Sequence, residues 1–310
     1  MSMRPLVSAI IPTYNNAALV VEAVESALAQ TYAPLEVIVV DDGSTDDTVE
    51  RLACYGSRLR LIRQVNRGPA VARNAGIRAA RGEVIAFLDS DDIWFPQKVE
   101  RSIVPMLADP GIGVVYTDFC VHDLASGRRY QLPCYRRGGW MARDLFRECR
   151  GVSTSALMVR RACLERVGLF DEDLFRAQDW DLILRLAEQC RFHFVPEVLV
   201  ERRLHGGSLS VRHADKYARY NLMVIEKARA RRPDLYRQLY REALARAYCR
   251  FGLAHYQDFR VEAARREFLR SLQFRLNAPS LNYLVRSFLP PALIRRLRQW
   301  RLRTQFGQTG

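Results

Sequence analysis

The sequence predicts an α/β fold built on a mixed, mostly parallel sheet flanked by helices, followed by a helical C-terminal annex. In the first third of the chain, short apolar runs alternate with amphipathic segments, a pattern typical of buried parallel strands joined by helices. From residue 214 onward the apolar residues recur at helical spacing, with prolines between the segments. We therefore expect two regions, 1–213 and 214–310.

Four apolar runs predict buried strands in the N-terminal part: residues 7–11, 37–40, 59–62 and 84–88. Proline has no backbone N–H to donate, so Pro12 is expected to end the first strand. The predicted helices between the strands begin near Asn15 or Asn16, near Asp46 or Asp47, and at Ala70.

The rest of the first region is less regular. Strands are predicted at 114–116 and 156–159 and a helix at 179–189, whereas residues 123–151 are expected to be mainly loop. In the second region, residues 244–276 loosely resemble one helical-hairpin repeat. Because a single repeat cannot bury its own core, we expect these helices to pack together as an annex.

The composition excludes several classes of protein. Of the 310 residues, 49% are apolar and 26% charged, so the chain is not disordered, collagen-like or of low complexity. No run approaches the ~18 apolar residues that span a bilayer, and the apolar run near the N-terminus is too short for a signal peptide. The seven cysteines show no metal-binding spacing, which predicts reduced thiols in a cytoplasmic protein.

The net charge of +14 belongs to the second region alone. Residues 1–213 carry 27 basic and 27 acidic side chains, and residues 214–310 carry 21 and 7. The segment 286–310 predicts a basic amphipathic helix that would bind an anionic membrane surface, with the protein peripheral on the inner face of the membrane. The alternative is a solvated helix face packed on the protein. The apolar face of this predicted helix comprises Leu293, Ile294, Leu297 and Trp300. No recognised motif in the chain indicates a nucleic-acid partner.

Acidic side chains follow the predicted strands, at Asp41–Asp42 and at Asp89–Asp92. Crowded carboxylates need a cation or hydrogen bonds, and Mg²⁺ or Mn²⁺ sites often combine one or two carboxylates with substrate phosphates. Asp89 and Asp91 therefore suit a metal-bound diphosphate, although aspartates here can also cap the next helix. The chain contains neither a G-x-G-x-x-G motif nor a P-loop.

Six segments, taken in order, resemble inverting family 2 glycosyltransferases. They are VSAIIPTYNN at 7–16, VVDDGSTD at 39–46, GPAVARNAG at 68–76, FLDSDD at 87–92, QDWDL at 178–182 and RLHGGS at 203–208. The resemblance covers about residues 5–213. It implies the nucleotide-sugar-binding fold called GT-A.

The resemblance also implies how a nucleotide would be held. Pro12 and Tyr14 would wall the base, and Asp42 would accept the imide hydrogen of a uracil or thymine. Arg73 would pair with acidic or diphosphate oxygens, and Asn74 would fix the loop around the nucleotide. The implied nucleotide-binding residues are Pro12, Thr13, Tyr14, Asp41, Asp42, Arg73, Asn74, Asp89 and Ser90.

The implied metal site holds Mn²⁺ or Mg²⁺ on Asp89, Asp91 and His205, with the role of Asp92 left open. Asp179 would be the catalytic base that takes the proton of the acceptor hydroxyl. Many relatives carry Glu-Asp here, and this chain carries Gln178-Asp179, so the proposed base is kept without its carboxylate neighbour. Asp181 is a lesser candidate for the base.

The resulting hypothesis is a metal-dependent inverting glycosyltransferase. It would move a sugar from a UDP- or dTDP-sugar to a hydroxyl of a glycan acceptor, lipid-linked in one version, in cell-surface polysaccharide synthesis. Residues 134–176 would line the acceptor site, with the hydroxyls of 153–155 as candidate contacts. The alternatives are a catalytically silent nucleotide-sugar-binding module and a nucleotidyltransferase.

Overall fold

The structure is a computed structural model that describes residues 4–131, 136–148, 152–206 and 214–289. Their contacts divide the chain into two compact units. The first unit comprises Met1–Leu145 and Arg150–Ser208, and the second comprises Phe146–Cys149 and Leu209–Gly310.

The first unit alternates strands and helices along its N-terminal half and adds longer strands afterwards. In chain order its elements are β1 (Val7–Thr13), α1 (Ala17–Leu28), β2 (Leu35–Asp41), α2 (Thr48–Ala53), β3 (Arg60–Arg63), α3 (Pro69–Ala79), β4 (Val84–Phe87), β5 (Ile93–Trp94), α4 (Lys98–Ala108), β6 (Ile112–Asp123), β7 (Arg128–Gln131), α5 (Ala142–Glu148, whose last residues belong to the second unit), β8 (Leu157–Arg160), α6 (Arg161–Val167), α7 (Gln178–Ala187) and β9 (Arg191–Leu204).

These strands form one mixed sheet in the order β3-β2-β1-β4-β8-β6-β9-β5, with β7 on β6. The first four strands are parallel, β8 runs antiparallel between β4 and β6, and β6 and β9 are again parallel. The predicted mixed, mostly parallel sheet is confirmed. Its continuous apolar strands are buried, as a sheet covered by helices on both faces requires.

The strand order reverses between β1 and β4. From β1 the chain proceeds outward through β2 and β3, and it then crosses back to place β4 on the other side of β1. In open α/β sheets, ligands bind in the crevice beyond the carboxyl ends of the strands at such a reversal. The residues after β1, β2 and β4 therefore face the expected binding crevice.

The prediction that Pro12 ends the first strand is wrong, because β1 continues to Thr13. Thr13 accepts a hydrogen bond from the Asp42 amide on the β2 side, and Ile10 accepts one from the Leu88 amide on the β4 side. By this alternation, Pro12 points toward β4, whose pairing with β1 stops at Ile10. The missing N–H therefore costs the sheet no ladder hydrogen bond.

The expectation of a loop over 123–151 is also wrong in part, since this stretch contains β7 and α5. The sequence interpretation missed β9 as well, which is 14 residues long. The register of β9 against β6 shifts between Val195 and Val198, so Pro196 lies in an irregularity of the ladder. Such bulges accommodate a proline that would otherwise break the ladder.

The second unit is helical over its described residues. Its elements are α8 (Ala214–Arg231), α9 (Pro233–Tyr236), α10 (Tyr240–Gln257), α11 (Val261–Phe274) and α12 (Ala278–Arg286). Helices α10 and α11 form a hairpin in which Gly252 lets Phe268 approach, because a Cβ at Gly252 would lie 2.5 Å from the ring. Among the described helices, none is long and apolar enough to cross a bilayer. The predicted membrane segment 286–310 lies outside the described residues beyond Leu289.

Candidate active site

The end of β1 supplies a buried hydroxyl and an exposed ring. Thr13 is opposite Asp41 in the β1–β2 register. Its side-chain oxygen is buried and finds no hydrogen-bond partner among the described residues. Tyr14, the next residue, is 49% exposed. An exposed aromatic ring at a strand end is available to stack on a planar ligand.

The two aspartates after β2 organise the loops around them. Asp42 accepts hydrogen bonds from Gln64 Nε2 at 2.7 Å, from the Arg67 amide at 3.0 Å and from the Gly68 amide at 2.7 Å. Asp41 accepts from the Ser44 amide at 3.2 Å. A carboxylate has about four acceptor positions, so Asp42 retains one while it fixes the loop that leads into α3.

Arg73, on α3, holds the first aspartate after β4. Its Nη2 lies 2.5 Å from Asp89 Oδ1, and its guanidinium carbon lies 5.4 Å from the centre of the Phe170 ring. Arg73 is 6% exposed, and its Nε and Nη1 have no partner among the described residues. The pairing leaves Asp89 oriented by a fixed positive charge, with its carboxylate partly exposed.

Asn74 has a different role from its neighbour. Its amide donates to the Phe170 carbonyl at 2.8 Å and accepts from the Phe170 amide at 2.9 Å. The side chain is buried and also donates to Glu172 at 3.0 Å. In this structure Asn74 fixes the segment at Phe170, so the loop it orders is the one that leads toward α7.

Asp91 and His205 come together although they are 114 residues apart. His205 Nε2 lies 3.1 Å from Asp91 Oδ2, and both side chains are about a quarter exposed. Burial and the nearby charge of Asp89 raise the pKa of Asp91, against the opposing effect of His205. Ser90, between the two aspartates, accepts a hydrogen bond from Asn16 Nδ2 at 3.0 Å, which ties the loop after β4 to the start of α1.

Asp92 is a structural residue. It is fully buried, where it accepts hydrogen bonds from Ser155 Oγ at 2.5 Å and from the Arg203 amide at 3.1 Å. Burial, and then the charges of Asp91 and Asp89, raise the pKa of Asp92 to about 8. The sequence left the role of Asp92 open, and the structure turns it away from the exposed carboxylates.

Two residues support the acidic loop without having been predicted to do so. Ser155 Oγ also accepts from the Asp89 amide at 3.1 Å, so this hydroxyl is used within the protein and is not available to an acceptor. Arg203 Nε donates to the Asp91 carbonyl at 2.5 Å, and its Nη1 pairs with Glu22 at 2.7 Å. Arg203 begins the RLHGGS segment that resembles the family, but the resemblance assigned it no role.

A divalent cation fits this edge only with help from a ligand. No group of three His, Cys, Asp or Glu side chains in the described part of the chain is assembled as a metal site. Asp91 and His205 nevertheless place one oxygen and one nitrogen side by side on the exposed side of the loop. Mg²⁺ is commonly bound by one or two protein ligands together with substrate phosphates and water, so the residues present suit a cation that arrives with a diphosphate.

Asp179 lies in the first turn of α7, where its Oδ1 accepts from the Trp180 amide at 2.8 Å. Its Oδ2 makes no hydrogen bond within the described residues, and the side chain is partly exposed. Asp181 is 2% exposed and pairs with Arg185 at 2.8 Å. A carboxylate held in a buried ion pair is a poor general base, so Asp179 is the better placed of the two.

Comparisons with known proteins identify the family of the chain. The family model described as glycosyl transferase family 2 matches residues 8–168, more than half of the chain. An uncharacterized glycosyltransferase of Rickettsia prowazekii is 33% identical over 209 residues, which is 65% of each chain. Chondroitin synthase of Escherichia coli is 33% identical over 235 residues, 73% of this chain and 33% of that protein. Thus the chain spans less than two thirds of the length of these relatives.

Solved structures share the fold. Staphylococcus aureus TarS 1–349, in complex with UDP-GlcNAc, has a TM-score of 0.63 at 20% identity over 86% of this chain and 81% of that chain. A mannosyltransferase from Pyrobaculum calidifontis, in complex with GDP-Man and Mn²⁺, has a TM-score of 0.58 at 24% identity over 92% of this chain and 79% of that chain. These likenesses confirm the predicted GT-A fold. Together with the family match, they show that the chain belongs to glycosyl transferase family 2.

Proposed function

We propose that this protein transfers a sugar, with inversion, from a uracil or thymine nucleotide-diphosphate sugar to a hydroxyl group of a glycan. One observation carries the proposal: the crevice where the strand order reverses collects Tyr14, the Arg73–Asp89 pair and the Asp91–His205 pair. Tyr14 suits a nucleotide base, the Arg73–Asp89 pair suits a ribose, and the Asp91–His205 pair suits a diphosphate with its cation.

The donor half of the proposal follows from the parallel strands. Tyr14 would stack on the base, with the buried Thr13 hydroxyl beside it. The remaining acceptor position of Asp42 would take the imide hydrogen of uracil or thymine. Asp89, oriented by Arg73 at 2.5 Å, would accept the ribose hydroxyls. TarS was solved with UDP-GlcNAc and with UDP, and the Pyrobaculum calidifontis mannosyltransferase with GDP-Man, so the preference for uracil or thymine rests on Asp42.

Asp91 and His205 would hold the divalent cation, with Asp89 acting through water. When bound, Mn²⁺ or Mg²⁺ supplies a Lewis acid that stabilises the negative charge of the departing diphosphate. Burial, and then the charge of Asp89, raise the pKa of Asp91. A cation would offset the repulsion between these two carboxylates, which supports metal use here.

Asp179 would take the acceptor proton. Its free Oδ2 accepts the hydrogen of an acceptor hydroxyl while the hydroxyl oxygen attacks the anomeric carbon from the face opposite the diphosphate. A bond from that oxygen to the anomeric carbon forms, and the bond to the diphosphate breaks through an oxocarbenium-like transition state. The Trp180 amide fixes Oδ1 at 2.8 Å and so fixes the direction of Oδ2.

The acceptor is proposed to be a growing polysaccharide. Two relatives are named chondroitin synthase and hyaluronan synthase, the second being 32% identical over 72% of this chain. Both are named for polymers that are extended at a sugar hydroxyl, which is the chemistry proposed for Asp179. In one version of this proposal the acceptor is lipid-linked and the protein is peripheral on the inner face of the membrane.

The decisive variant is Asp179→Asn. It keeps the size and the hydrogen-bond acceptor for the Trp180 amide but removes the base. We expect sugar transfer to fall by about 10²-fold or more, while the affinity for the nucleotide sugar, measured by calorimetry with Mn²⁺, stays within a factor of about two of wild type. Asp234→Asn, an exposed aspartate that also lies in the first turn of a helix, α9, serves as the matched control and should leave both quantities unchanged.

The same experiment separates the alternatives. Binding of UDP- or dTDP-sugars without transfer to any glycan would indicate a silent binding module. Release of pyrophosphate from a nucleoside triphosphate would indicate a nucleotidyltransferase. Full transfer activity in Asp179→Asn would show that another residue is the base.

A further inference from the structure

Helix α12 has its apolar side on the outside. Leu281, Val285 and Phe288 are spaced four and three residues apart, so they share one face that runs from α12 into the turn after it. Their exposed fractions are 54%, 63% and 67%. Leu276, in the loop before the helix, is 84% exposed as well. We call the surface of these four side chains the α12 apolar face.

The side of α12 that packs on the unit carries two buried serines and an aromatic ring. Ser280 and Ser287 are almost completely inaccessible, at 0% and 1% exposed. Ser280 Oγ lies 2.7 Å from Ser271 Oγ, which in turn donates to the Ala245 carbonyl at 2.6 Å. The Tyr283 ring stacks on Phe268. Surface helices of globular proteins normally bury their apolar side, whereas α12 leaves Leu281, Val285 and Phe288 exposed.

Specific hydrogen bonds fix this orientation at both ends of the helix. Asn277 caps the start by accepting from the Ser280 amide at 2.9 Å, and it also donates to Ser271 Oγ at 3.0 Å. At the other end, Arg265 Nη2 donates to the Ser287 carbonyl at 2.7 Å. Rotation of α12 to bury its leucine and valine would break these bonds and leave buried polar atoms unpaired.

After Glu267 the sequence carries charges of a single sign. From residue 268 to residue 310 there are eight arginines and no aspartate or glutamate. The guanidinium carbon of Arg265 lies 4.0 Å from the centre of the Phe288 ring, so positive charge borders the apolar face directly. Long cationic side chains beside apolar ones suit the boundary between lipid headgroups and acyl chains.

We propose that the α12 apolar face docks on an anionic lipid surface, with the arginines around it paired to the headgroups. A second copy of the chain would bring like charges together, which disfavours self-association through this face. A nucleic acid would match the charge but offers no apolar surface for four exposed hydrophobic side chains. The inference does not depend on the proposed function, since it concerns residues of the second unit alone.

The test uses the full chain and a triple variant, Leu281→Gln, Val285→Gln and Phe288→Gln. Binding is measured by flotation with vesicles of phosphatidylcholine, with and without phosphatidylglycerol, in the absence of any nucleotide sugar. We expect wild type to bind the anionic vesicles more strongly than the zwitterionic ones, and we expect this binding to weaken at high salt. The triple variant should bind the anionic vesicles at least about tenfold more weakly than wild type. Its melting temperature should be unchanged because the replaced side chains are exposed.

A matched control replaces exposed apolar residues on a helix of the first unit, Val104→Gln and Leu107→Gln of α4, which are 56% and 51% exposed. This variant should bind vesicles like wild type. The proposal is overturned if the triple variant keeps wild-type vesicle binding, or if wild type does not distinguish anionic from zwitterionic vesicles. The proposal is also overturned if wild type forms a dimer that dissociates in the triple variant. The same holds if wild type prefers a duplex oligonucleotide to vesicles and the triple variant loses that preference.

Discussion

Single hydrogen bonds decide where the carboxylates of the acidic loop point. Ser155 is buried at the start of β8 and serves the loop twice, as donor to Asp92 and as acceptor for the Asp89 amide. Its carbonyl accepts from Trp94 Nε1 at 2.7 Å, so the residue itself is held in place. The loop after β4 therefore depends on a residue 63 positions away from Asp92.

Ser155→Ala is predicted to weaken both the fold and donor binding. The buried carboxyl of Asp92 would lose its hydroxyl partner, and leaving a buried polar group unsatisfied costs about 1–3 kcal/mol. Urea unfolding measures the loss, and titration with a nucleotide sugar measures the affinity. Ser153→Ala, in the same turn but only partly buried, is the control. Equal unfolding curves for Ser155→Ala and wild type would contradict this role.

Removal of divalent cations is predicted to stop transfer. With a chelator, the diphosphate would depart without charge stabilisation, so we expect activity to fall by about 10²-fold or more and to return with Mn²⁺ or Mg²⁺. Asp91→Ala should abolish the effect of added Mn²⁺ on nucleotide-sugar affinity, because one of two side-chain ligands is gone. Undiminished transfer by chelated wild-type protein would exclude metal dependence.

Sequence reasoning identified the residues that face the crevice better than those that support them. Tyr14, Asp89 and Asp91 directly follow apolar strands, and strand ends are where ligands bind in such sheets. Ser155 and Arg203 gave no comparable signal, because their contacts depend on the antiparallel insertion of β8 and on the path of β9. Asn74 was predicted to fix the loop around the nucleotide, yet it hydrogen-bonds the Phe170 backbone.

At the scale of elements, one glutamate joins three segments at the edge of the sheet opposite the crevice. Glu36, on β2, accepts hydrogen bonds from Ser8 Oγ on β1 at 2.5 Å and from the amides of Arg81 and Gly82 at 2.6 and 3.1 Å. A Cβ at Gly82 would lie 2.5 Å from Ser8 Oγ. The turn between α3 and β4 therefore needs glycine to reach this carboxylate.

This contact predicts a pH-dependent contribution to stability. Burial acts to raise the pKa of Glu36, but the hydrogen bonds from Ser8 and from the Arg81 and Gly82 backbone outweigh it and lower the pKa. Since the folded-state pKa lies below the unfolded value of about 4.3, the contribution is full above that pH and disappears as pH falls through the folded-state pKa.

The measurement compares wild type with Glu36→Gln. We expect wild type to be more stable to urea at pH 7, with the difference narrowing progressively below about pH 4.5. Glu50→Gln, an exposed glutamate of α2, is the control and should show no such trend. If the difference in stability between wild type and Glu36→Gln stayed constant down to acid unfolding, the proposed contribution of the Glu36 hydrogen bonds would be contradicted.

The elements that the sequence predicted are those with continuous apolar runs. Strands β1, β2 and β4 are buried on both faces, so their composition alone indicates them. Strand β9 was missed because Pro196 and several charged residues interrupt its pattern, and its bulge against β6 is a tertiary feature. The prediction that Pro12 ends β1 failed for the same reason. Pro12 is tolerated in β1 only because the pairing between β1 and β4 stops before it, which is a tertiary feature.

At the scale of the whole molecule, charge and fold are divided in the same way along the sequence. The glycosyltransferase motifs and a balanced charge belong to the first region, and the surplus of arginine belongs to the helical one. That division could be predicted from composition. The exposure of Leu281 and Val285 could not, because a serine and a leucine at helical spacing do not reveal which of them faces inward until the partners Ser271, Ala245 and Arg265 are known.

The exposed apolar face of α12 has a consequence for how the sequence can drift. A fluid lipid surface has no fixed shape, so it selects for the hydrophobicity of Leu281, Val285 and Phe288 but not for their identity. Ser280 and Ser287 are buried and hydrogen-bonded within the unit, so replacing them would leave buried polar atoms unpaired. Natural variation along α12 would therefore be permissive among apolar residues on the exposed face and strict at the two buried serines.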